Sequence, residues 1–552
     1  MKAIYIKITM AFSMALVACS SERLEEHPPH LITGETLFSN LAGFEAGLNG
    51  LYARVREEKA GRNANDMIGS MFIDGTDNLV SNHRDIGFNF ISQFWQDINN
   101  PNHVSIEYNF SWLYSIVNAA NTIISRANHS AVDWEGVGSA PEDNRNRVVA
   151  EARAIRAWAY RHLSFCWGDV PLNLEESIGS TIKTDWERAP VADVRQQILN
   201  DFLAAEPHID FEPKMNGRIT KGAVQHYLAE MYLTIHKPDS ALYWANKVIS
   251  TPQYRLVTER YGVRANRAGV PFMDMFYEGN ENRVQGNTEA LWVFQFALET
   301  VGGGASIVRR HHASRISDWV VGGVKPIRDT YERGGRGRSR MSLTKWALES
   351  YEPQDHRNSE FAIRRFYVLN DEVANAPYPA DIPPDGYHFG DTIWLDWTDD
   401  ITSTNLARMN WPFSRKVEGT NPNNVAAEEQ WNDHVYLRLA DTYLLKAEAQ
   451  FLLGDLTGAA ETINVVRRRA NASEISSDQV DIDFILDERS RELVLEEHRR
   501  FTLLRTGKWF ERTRKYNKNG GQHITLRDTL FPIPQSVIDV NLTYKMRQNS
   551  GF

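Results

Sequence analysis

Two stretches of the chain carry apolar residues at steps of three and four, and a short turn interrupts each stretch. In the later stretch the turn is Gly454-Asp455. The apolar positions on its two sides are Leu437, Ala440, Leu444, Ala447 and Phe451, and then Ala459, Ile463 and Val466. This period places them on one face of a helix, so the pattern predicts an antiparallel helical hairpin. An earlier hairpin is predicted between Ala223 and Ile249.

Small residues recur at the same place in both predicted hairpins. Ala229 and Ala241 are twelve residues apart, and so are Ala447 and Ala459. In tetratricopeptide-like hairpins, small residues at this spacing lie where the two helices approach most closely. One hairpin cannot bury its own apolar face, so several must stack. The sequence therefore predicts a mainly α fold with a tetratricopeptide-like helical hairpin scaffold and an inserted irregular, loop-rich subdomain.

The middle of the chain lacks the helical period. Glycine runs, Pro383-Pro384 and many aromatic residues interrupt it, and Leu291 to Phe296 is predicted to form a buried strand. Long ordered loops often carry function. We therefore predict three regions after the N-terminus: an N-terminal helical scaffold at 36–250, a loop-rich ligand-binding subdomain at 251–430, and C-terminal helical hairpins and tail at 431–552.

The first residues have the features of an export signal. Lys2 and Lys7 accompany a short apolar stretch that ends in Leu16-Val17-Ala18-Cys19. The stretch is too short to span a membrane and fits a lipoprotein signal peptide at 1–18, after which Cys19 is lipidated. Residues 19–35 then form a polar lipidated tether. This predicts attachment to a membrane through acyl chains, two or more of which give lasting anchorage.

Charge and cysteine content exclude other classes of protein. The formal charge of −10 becomes −12 when Lys2 and Lys7 are removed with the signal, so no nucleic-acid partner is expected. The arginine-rich run at 333–340 is accordingly predicted to be a solvated loop rather than an RNA-binding tract. Once Cys19 carries lipid, Cys166 is the one remaining cysteine, which excludes an intramolecular disulfide.

Two groups of residues suggest catalysis at first sight. Glu488, Glu492 and Glu496 share a helix face, where Arg491, Arg499 and Arg500 are close enough to pair with them, so we predict a structural ion-pair network. An aspartate-rich loop beside two tryptophans could in principle supply the two carboxylates of a glycoside hydrolase, but it is equally what a sugar-binding or cation-binding surface shows, and nothing in the sequence fixes the separation of an acid and a base. Its residues are Trp394, Asp396, Trp397, Asp399 and Asp400.

Metal or cofactor chemistry is not predicted. His311-His312 and His356 lack a ligand pattern such as His-Glu-x-x-His. A structural calcium ion has no motif to support it. We therefore expect no cofactor.

Three segments, in order along the chain, resemble the SusD/RagB family of outer-membrane nutrient-binding lipoproteins, the SusD-like glycan-binding proteins of Bacteroidetes. They are Glu151 to Leu172, which ends in Gly168-Asp169-Val170-Pro171-Leu172, then Leu437 to Ala470, and Ile485 to Phe501. The end of the chain is similar to the family as well. It carries Phe531-Pro532-Ile533-Pro534 and Gln548-Asn549-Ser550-Gly551-Phe552, where Ser550 replaces the usual proline.

The resemblance implies a function that the residue patterns do not show. It implies a non-catalytic, lipid-anchored protein of the outer membrane that faces the cell exterior. Such a protein binds an oligosaccharide or polysaccharide and delivers it to a SusC-like TonB-dependent outer-membrane transporter. Because some family members bind peptides, a peptide ligand is the alternative. A lipid-anchored glycoside hydrolase is a third hypothesis.

Glycan capture requires flat aromatic faces and groups that hydrogen-bond hydroxyls. Tryptophans in polar, loop-like settings meet the first requirement, and the family resemblance places the site in an early loop and in loops of the irregular half. The predicted ligand-binding residues are Trp95, Trp319, Asp77, Asn78, Asn99 and Arg309. Trp158, Trp167 and Trp292 are predicted to be packing residues, whereas Trp346, Trp394, Trp397 and Trp411 are left undecided.

Overall fold

The computed structural model describes residues 34–63, 66–81, 99–371, 380–402 and 409–552. The predictions for the signal peptide, for Cys19 and for Trp95 lie outside these residues.

Helices dominate both ends of the described chain. The first six helices of at least seven residues are α1 (Leu41–Arg56), α2 (Val104–Arg126), α3 (Pro141–Cys166), α4 (Val191–Ala205), α5 (Lys221–Thr234) and α6 (Pro238–Ile249). The last five are α7 (Leu439–Leu452), α8 (Leu456–Arg469), α9 (Ile482–Leu493), α10 (Arg499–Arg505) and α11 (Trp509–Tyr516). Short helices occur at Gly34–Leu37, Ser70–Ile73, Pro271–Asp274, Val308–His312, Lys345–Glu349 and Gln535–Asp539.

Both predicted hairpins are present. Helices α5 and α6 form the first, and α7 and α8 form the second. Ala229 and Ala241 are fully buried in one small apolar cluster together with residues of α7, while Ala447 and Ala459 are buried in another. The predicted close approach of the paired helices is therefore confirmed, and the shared cluster shows that the two hairpins stack on each other.

The close approach of α7 and α8 limits the size of the side chain that fits at Ala459. Ala459→Leu is expected to lower the free energy of unfolding by about 1–3 kcal/mol, because the added atoms have no space between the helices. Glu461→Leu on the exposed face of α8 is the matched control, and its effect is expected to stay within about 0.5 kcal/mol. Urea denaturation of both variants measures the difference. Equal losses would contradict close packing at Ala459.

Helix α3 is the centre of the largest apolar core. It begins at Pro141 in the first turn and ends at Cys166, and Gly168 follows with a φ of 71°, a left-handed conformation that favours glycine. Trp158 and Trp167 are fully buried, and Trp292 is nearly so. The prediction that these three tryptophans serve packing is confirmed.

Short strands and loops fill most of the chain between α6 and α7, and three further strands lie between α1 and α2. The ten described strands are β1 (Gly61–Asn63), β2 (Asp66–Met67), β3 (Leu79–Ser81), β4 (Ala290–Phe294), β5 (Met341–Leu343), β6 (Ile363–Arg364), β7 (Phe366–Val368), β8 (Thr392–Trp394), β9 (Phe413–Ser414) and β10 (His434–Arg438). They form antiparallel two-stranded sheets: β1 with β2, β3 with β5, β4 with β10, β6 with β9, and β7 with β8. The predicted buried strand at Leu291 to Phe296 corresponds to β4, which is buried throughout.

The predicted ion-pair network on α9 is confirmed. Glu488 accepts from Arg357 at 2.7 Å, from Arg467 at 2.7 Å and from Arg491 at 2.9 Å. Two other arginines bind Glu492: Arg438 at 2.9 Å, and Arg469. Glu492 also accepts from Arg357 at 3.1 Å. These carboxylates are fully buried, so the ion pairs join α9 to α8, to β10 and to the loop at 355–358.

The remaining arginines of this segment differ from the prediction. Arg499 pairs with Glu497 at 3.0 Å and with a distant aspartate rather than with Glu488 or Glu492. Arg500 donates at 2.7 Å to the backbone oxygen of Asp528 and lies over the rings of Trp509 and Phe531. The side chain of Arg500 therefore points away from the glutamate face and holds the C-terminal tail instead.

The C-terminal tail packs against the end of α3. The backbone N–H of Phe531 donates to the oxygen of Cys166 at 2.7 Å, and Trp167 Nε1 donates to the oxygen of Pro532 at 3.0 Å. Asn549 Nδ2 bridges the oxygens of Trp167 and Phe531 at 3.0 and 2.8 Å. The tail is thus part of the core.

None of the helices in the described ranges is both long enough and apolar enough to cross a membrane.

Candidate functional site

The structure places the four polar candidates in the protein interior. Asp77 accepts two hydrogen bonds from Arg499, at 2.7 and 2.8 Å, and one from Arg512 at 2.7 Å. Burial alone would raise the pKa of Asp77, but the two guanidinium groups hold it below its ordinary value. Asp77 therefore joins the N-terminal part of the chain to α10 and α11, which corrects the expectation that it contacts a ligand.

The other three polar candidates are also occupied by internal partners. Asn78 accepts from Ser490 Oγ at 2.5 Å, and Asn99 donates to Asp528 Oδ1 at 2.8 Å. Arg309 is fully buried, and its guanidinium donates to Thr420 Oγ1 and to a backbone oxygen at 427. Their sequence settings are polar and rich in loops, but tertiary contacts bury them. This corrects the expectation that Asn78, Asn99 and Arg309 contact a ligand.

Trp319 lies nearer the surface. It follows a helical turn at Ile316–Asp318 and is partly buried. One side of its ring packs against an apolar cluster formed by Ile316, Ile327, Tyr367, Leu369, Ile393 and Leu395. That cluster lies beneath β7 and β8, so Trp319 is held at the base of this small sheet. Its role in binding stays a prediction.

Aromatic side chains are displayed next to the same small sheet. Tyr387, Phe389 and Trp394 are 41%, 46% and 59% exposed, and they are three of the five strongly exposed aromatic side chains in the described residues. Trp394 on β8 lies directly opposite Phe366 on β7, with ring centroids 5.0 Å apart and planes inclined by 55°. An exposed Trp held by a cross-strand neighbour is a rigid platform for stacking.

A cleft of about 600 Å³ lies along this sheet, and we call it the aromatic cleft. Its apolar wall includes Phe366, Val368 and Phe389. Its polar lining residues include Arg333, Arg364, Arg365, Asn370 and Arg415, together with the acidic residues Glu360 and Asp371. A cleft lined by both aromatic rings and hydrogen-bonding groups has the chemistry that sugar rings require.

Carboxylates hold most of the cleft arginines in position. Arg364 and Arg415 share Glu418, at 2.7 and 3.0 Å. Arg365 instead donates to backbone oxygens at 348 and 358 and to the side chain of Asn358. Burial lowers the pKa of Arg365, and its guanidinium lies 5.9 Å from the ring centre of Trp397. The donors are therefore pre-positioned before a ligand arrives.

The strands explain why Trp394 could not be assigned from the sequence. In Thr392-Ile393-Trp394-Leu395 the buried positions are Ile393 and Leu395, so the alternation of a strand puts Trp394 outside. This period-two signal identifies Trp394 once the segment is known to be a strand. Trp411, also left undecided, is fully buried and donates to the oxygen of Leu343 at 2.8 Å.

The described residues contain one group of three side chains with metal-ligand atoms in reach of each other, Glu58, His162 and His498. It does not suit a metal. Glu58 Oε1 is 2.9 Å from the ammonium of Lys59, and Oε2 accepts from Tyr436 at 2.6 Å. Its charge and its lone pairs are already satisfied, so the group is a buried polar network that stabilises the core.

Comparison with known proteins identifies the family. A sequence model described as the SusD family matches residues 288–552, and a second, described as starch-binding associating with outer membrane, matches residues 24–233. The two matches do not overlap and together cover most of the chain. The chain belongs to the SusD family. Members of this family are non-catalytic binding proteins, so the protein is a binding protein rather than an enzyme.

Individual SusD relatives agree with this assignment. SusD-like protein P25 of Formosa agariphila is 23% identical over 529 residues, which cover 91% of this chain and 90% of that protein. Starch-binding protein SusD of Bacteroides thetaiotaomicron is 36% identical over 120 residues, 21% of each chain. The solved structure of a laminarin-binding SusD-like protein superimposes with a TM-score of 0.68 at 20% identity, covering 93% of this chain and 100% of that one. The predicted tetratricopeptide-like helical fold is thereby confirmed.

Proposed function

We propose that this SusD-family protein captures an oligosaccharide or polysaccharide at the outer face of the outer membrane and delivers it to a SusC-like TonB-dependent transporter. Lipidation at Cys19 would hold the protein at the membrane. Glycan binding is supported by the family and by the names of the starch-binding and laminarin-binding relatives. The transporter partner and the lipid anchor are supported by the sequence resemblance.

The observation that carries the proposal is the exposed aromatic surface at the aromatic cleft. Trp394 is 59% exposed and Phe389 46% exposed beside the same small sheet, and grouped exposed apolar side chains are typical of a binding surface. Trp394 provides a flat face, and the cleft arginines provide donors for hydroxyl groups. We place the glycan along β7 and β8, with Trp394 and Phe389 stacking on sugar rings. Trp319 and Trp95 stay in the proposal as further stacking residues.

Affinity electrophoresis of the mature domain in gels that contain single polysaccharides tests this function. A ligand glycan slows the protein, and Trp394→Ala is expected to weaken the binding by at least about tenfold, since a stacking side chain at the centre of a site contributes about 2 kcal/mol or more. Trp319→Ala and Trp95→Ala are tested in the same gels. Binding is expected without release of new reducing ends.

The matched control is Tyr243→Ala on α6, because Tyr243 is 58% exposed on the helical scaffold, far along the chain from the cleft. It should migrate as the unchanged protein does. If Trp394→Ala behaves like this control in a gel that slows the unchanged protein, the ligand does not stack on Trp394 and the proposed placement along β7 and β8 is wrong. Turnover of a polysaccharide would contradict the binding function itself.

A further inference from the structure

The arginine-rich run at 333–340 is not a solvated loop, contrary to the sequence prediction. Its backbone is hydrogen-bonded to neighbouring segments: Arg336 N–H to the oxygen of Val425, Arg338 N–H to that of Arg310, and Arg340 N–H to that of His311, at 3.0, 2.9 and 2.7 Å. The run is partly buried and therefore well positioned. Fixed arginines at a surface are suited to recognition in a way that mobile ones are not.

Four cationic side chains surround one carboxylate beside Trp319. Asp318 lies 2.5 Å from Arg315 and 3.2 Å from Lys325, and it is 3.4 Å from Arg336 and 3.5 Å from Arg338. We call these four cations the cationic patch. Burial alone would raise the pKa of Asp318, but the nearby cations lower it to about 2. Asp318 therefore stays ionised and still neutralises only one of the four charges.

The patch keeps an excess of positive charge after its known partners are counted. Among the described residues, the other carboxylate within ion-pair distance of the patch, besides Asp318, is Asp329, which lies 3.7 Å from Arg336. Four cations and two carboxylates leave a net charge of +2, in a protein whose formal charge is −10. The side chains of Arg315 and Lys325 are 37% and 50% exposed. Their charges are thus open to a ligand at the surface.

The position of the patch connects it to sugar binding. Trp319 follows Asp318 directly, and Lys325 lies across a tight turn in which Val321 and Val324 exchange backbone hydrogen bonds. Because Arg315 and Lys325 both contact Asp318, the residue next to Trp319 in the chain, a sugar bound at Trp319 would lie near the patch. Guanidinium groups bind carboxylate and sulfate oxygens in paired hydrogen bonds, which neutral hydroxyls cannot match in strength.

We propose that the cationic patch makes this protein selective for anionic glycans, in which a carboxylate or a sulfate ester on the sugar beside Trp319 is bound by Arg315 and Lys325, with Arg336 and Arg338 behind them. This inference rests on the proposed glycan-binding function and adds the chemical class of the glycan. The carboxylate and the sulfate share one recognition chemistry. The experiment separates them.

Affinity electrophoresis with two matched pairs of polysaccharides tests the inference. Polygalacturonate is compared with its methyl ester for the carboxylate, and carrageenan with agarose for the sulfate. The charged member of at least one pair is expected to bind the protein at least about tenfold more tightly than its neutral member. The preference should shrink when sodium chloride is raised from about 50 mM to about 500 mM, because salt screens exposed charges.

The double variant Arg315→Gln, Lys325→Gln is expected to lose this preference while it keeps its thermal unfolding temperature within about 2 °C. Arg468→Gln is the matched control, since Arg468 forms an exposed ion pair with Glu474 on the helical scaffold. Arg468→Gln also removes an exposed positive charge, and it should leave the preference for charged polysaccharides unchanged.

Three results would overturn the inference. Equal or tighter binding to the neutral members would do so and leave the proposed glycan-binding function standing. A preference for charged members that survives in the double variant would show that residues other than Arg315 and Lys325 recognise the charge of the glycan. Binding to neither charged polymer, when another, neutral polysaccharide slows the protein in the same gels, would overturn the inference and leave the proposed function standing.

Discussion

Glu492→Ala is expected to lower the free energy of unfolding by about 3–5 kcal/mol, because it removes a carboxylate shared by three buried arginines and leaves their positive charges only partly balanced. Glu492 is fully buried and contacts the guanidinium groups of Arg357, Arg438 and Arg469. The cost therefore exceeds that of an ordinary surface change.

Urea denaturation followed by circular dichroism measures the effect as a lower midpoint. The control is Glu474→Ala, whose ion pair with Arg468 is 54% exposed on both sides and should contribute about 0–1 kcal/mol. Similar shifts for the two variants would mean that the buried network does not stabilise the fold. We expect the slope of the urea transition to be the same in the variants as in the unchanged protein. An unchanged slope would show that only stability has changed.

Acidification is expected to destabilise the protein progressively, with the steepest loss between about pH 4.5 and pH 2. Burial alone would raise the pKa of Glu230 and of Glu488, but their arginine partners lower both to about 2. A folded carboxyl with a depressed pKa binds fewer protons than the unfolded chain. Its stabilisation is thus present above the unfolded pKa and is lost as the pH falls through the folded value.

Buried histidines extend this loss to milder acid. Burial lowers the pKa of His312 and of His434 to about 3, so both stay neutral in the folded protein. In the unfolded chain they take up protons below about pH 6.5. Stability therefore begins to fall near that value, and the carboxyl groups add to the loss below pH 4.5.

Urea midpoints measured from pH 7 to pH 3 test this expectation. A single carboxyl whose pKa drops from 4.5 to about 2 stabilises the fold at neutral pH by about 3 kcal/mol, as an order of magnitude. Glu488→Gln should flatten the profile below pH 4.5, because that position no longer titrates. A profile that stays level down to pH 3 would contradict the assigned charge states.

Helical periodicity predicted the hairpins well because it depends on local sequence. The alanines at 229, 241, 447 and 459 face the same partner helix wherever the hairpin lies, so their burial follows from spacing. The glutamates at 488 and 492 share a helix face for the same reason. Their partners Arg357 and Arg438 lie far away in the chain and were not predicted.

The ligand site was harder to predict because exposure is a property of the whole fold. Asp77 and Arg309 stand in polar segments with loop character, yet arginines and carbonyl oxygens from distant segments enclose them. Trp394 had an equally polar setting and is exposed. The difference arises from which side of a short strand faces the core, and neighbouring residues alone do not decide that.

The helical hairpins, their close approach and the shared charged face of α9 are predictable from the sequence, because each follows from residue spacing along one helix or one hairpin. Contacts between distant segments determine which polar residues are buried, that Trp394 is exposed opposite Phe366 on the small sheet, and that the arginine-rich run contacts Asp318 beside Trp319. Those outcomes depend on contacts between segments separated by tens to hundreds of residues. The sequence around any one residue does not reveal such contacts.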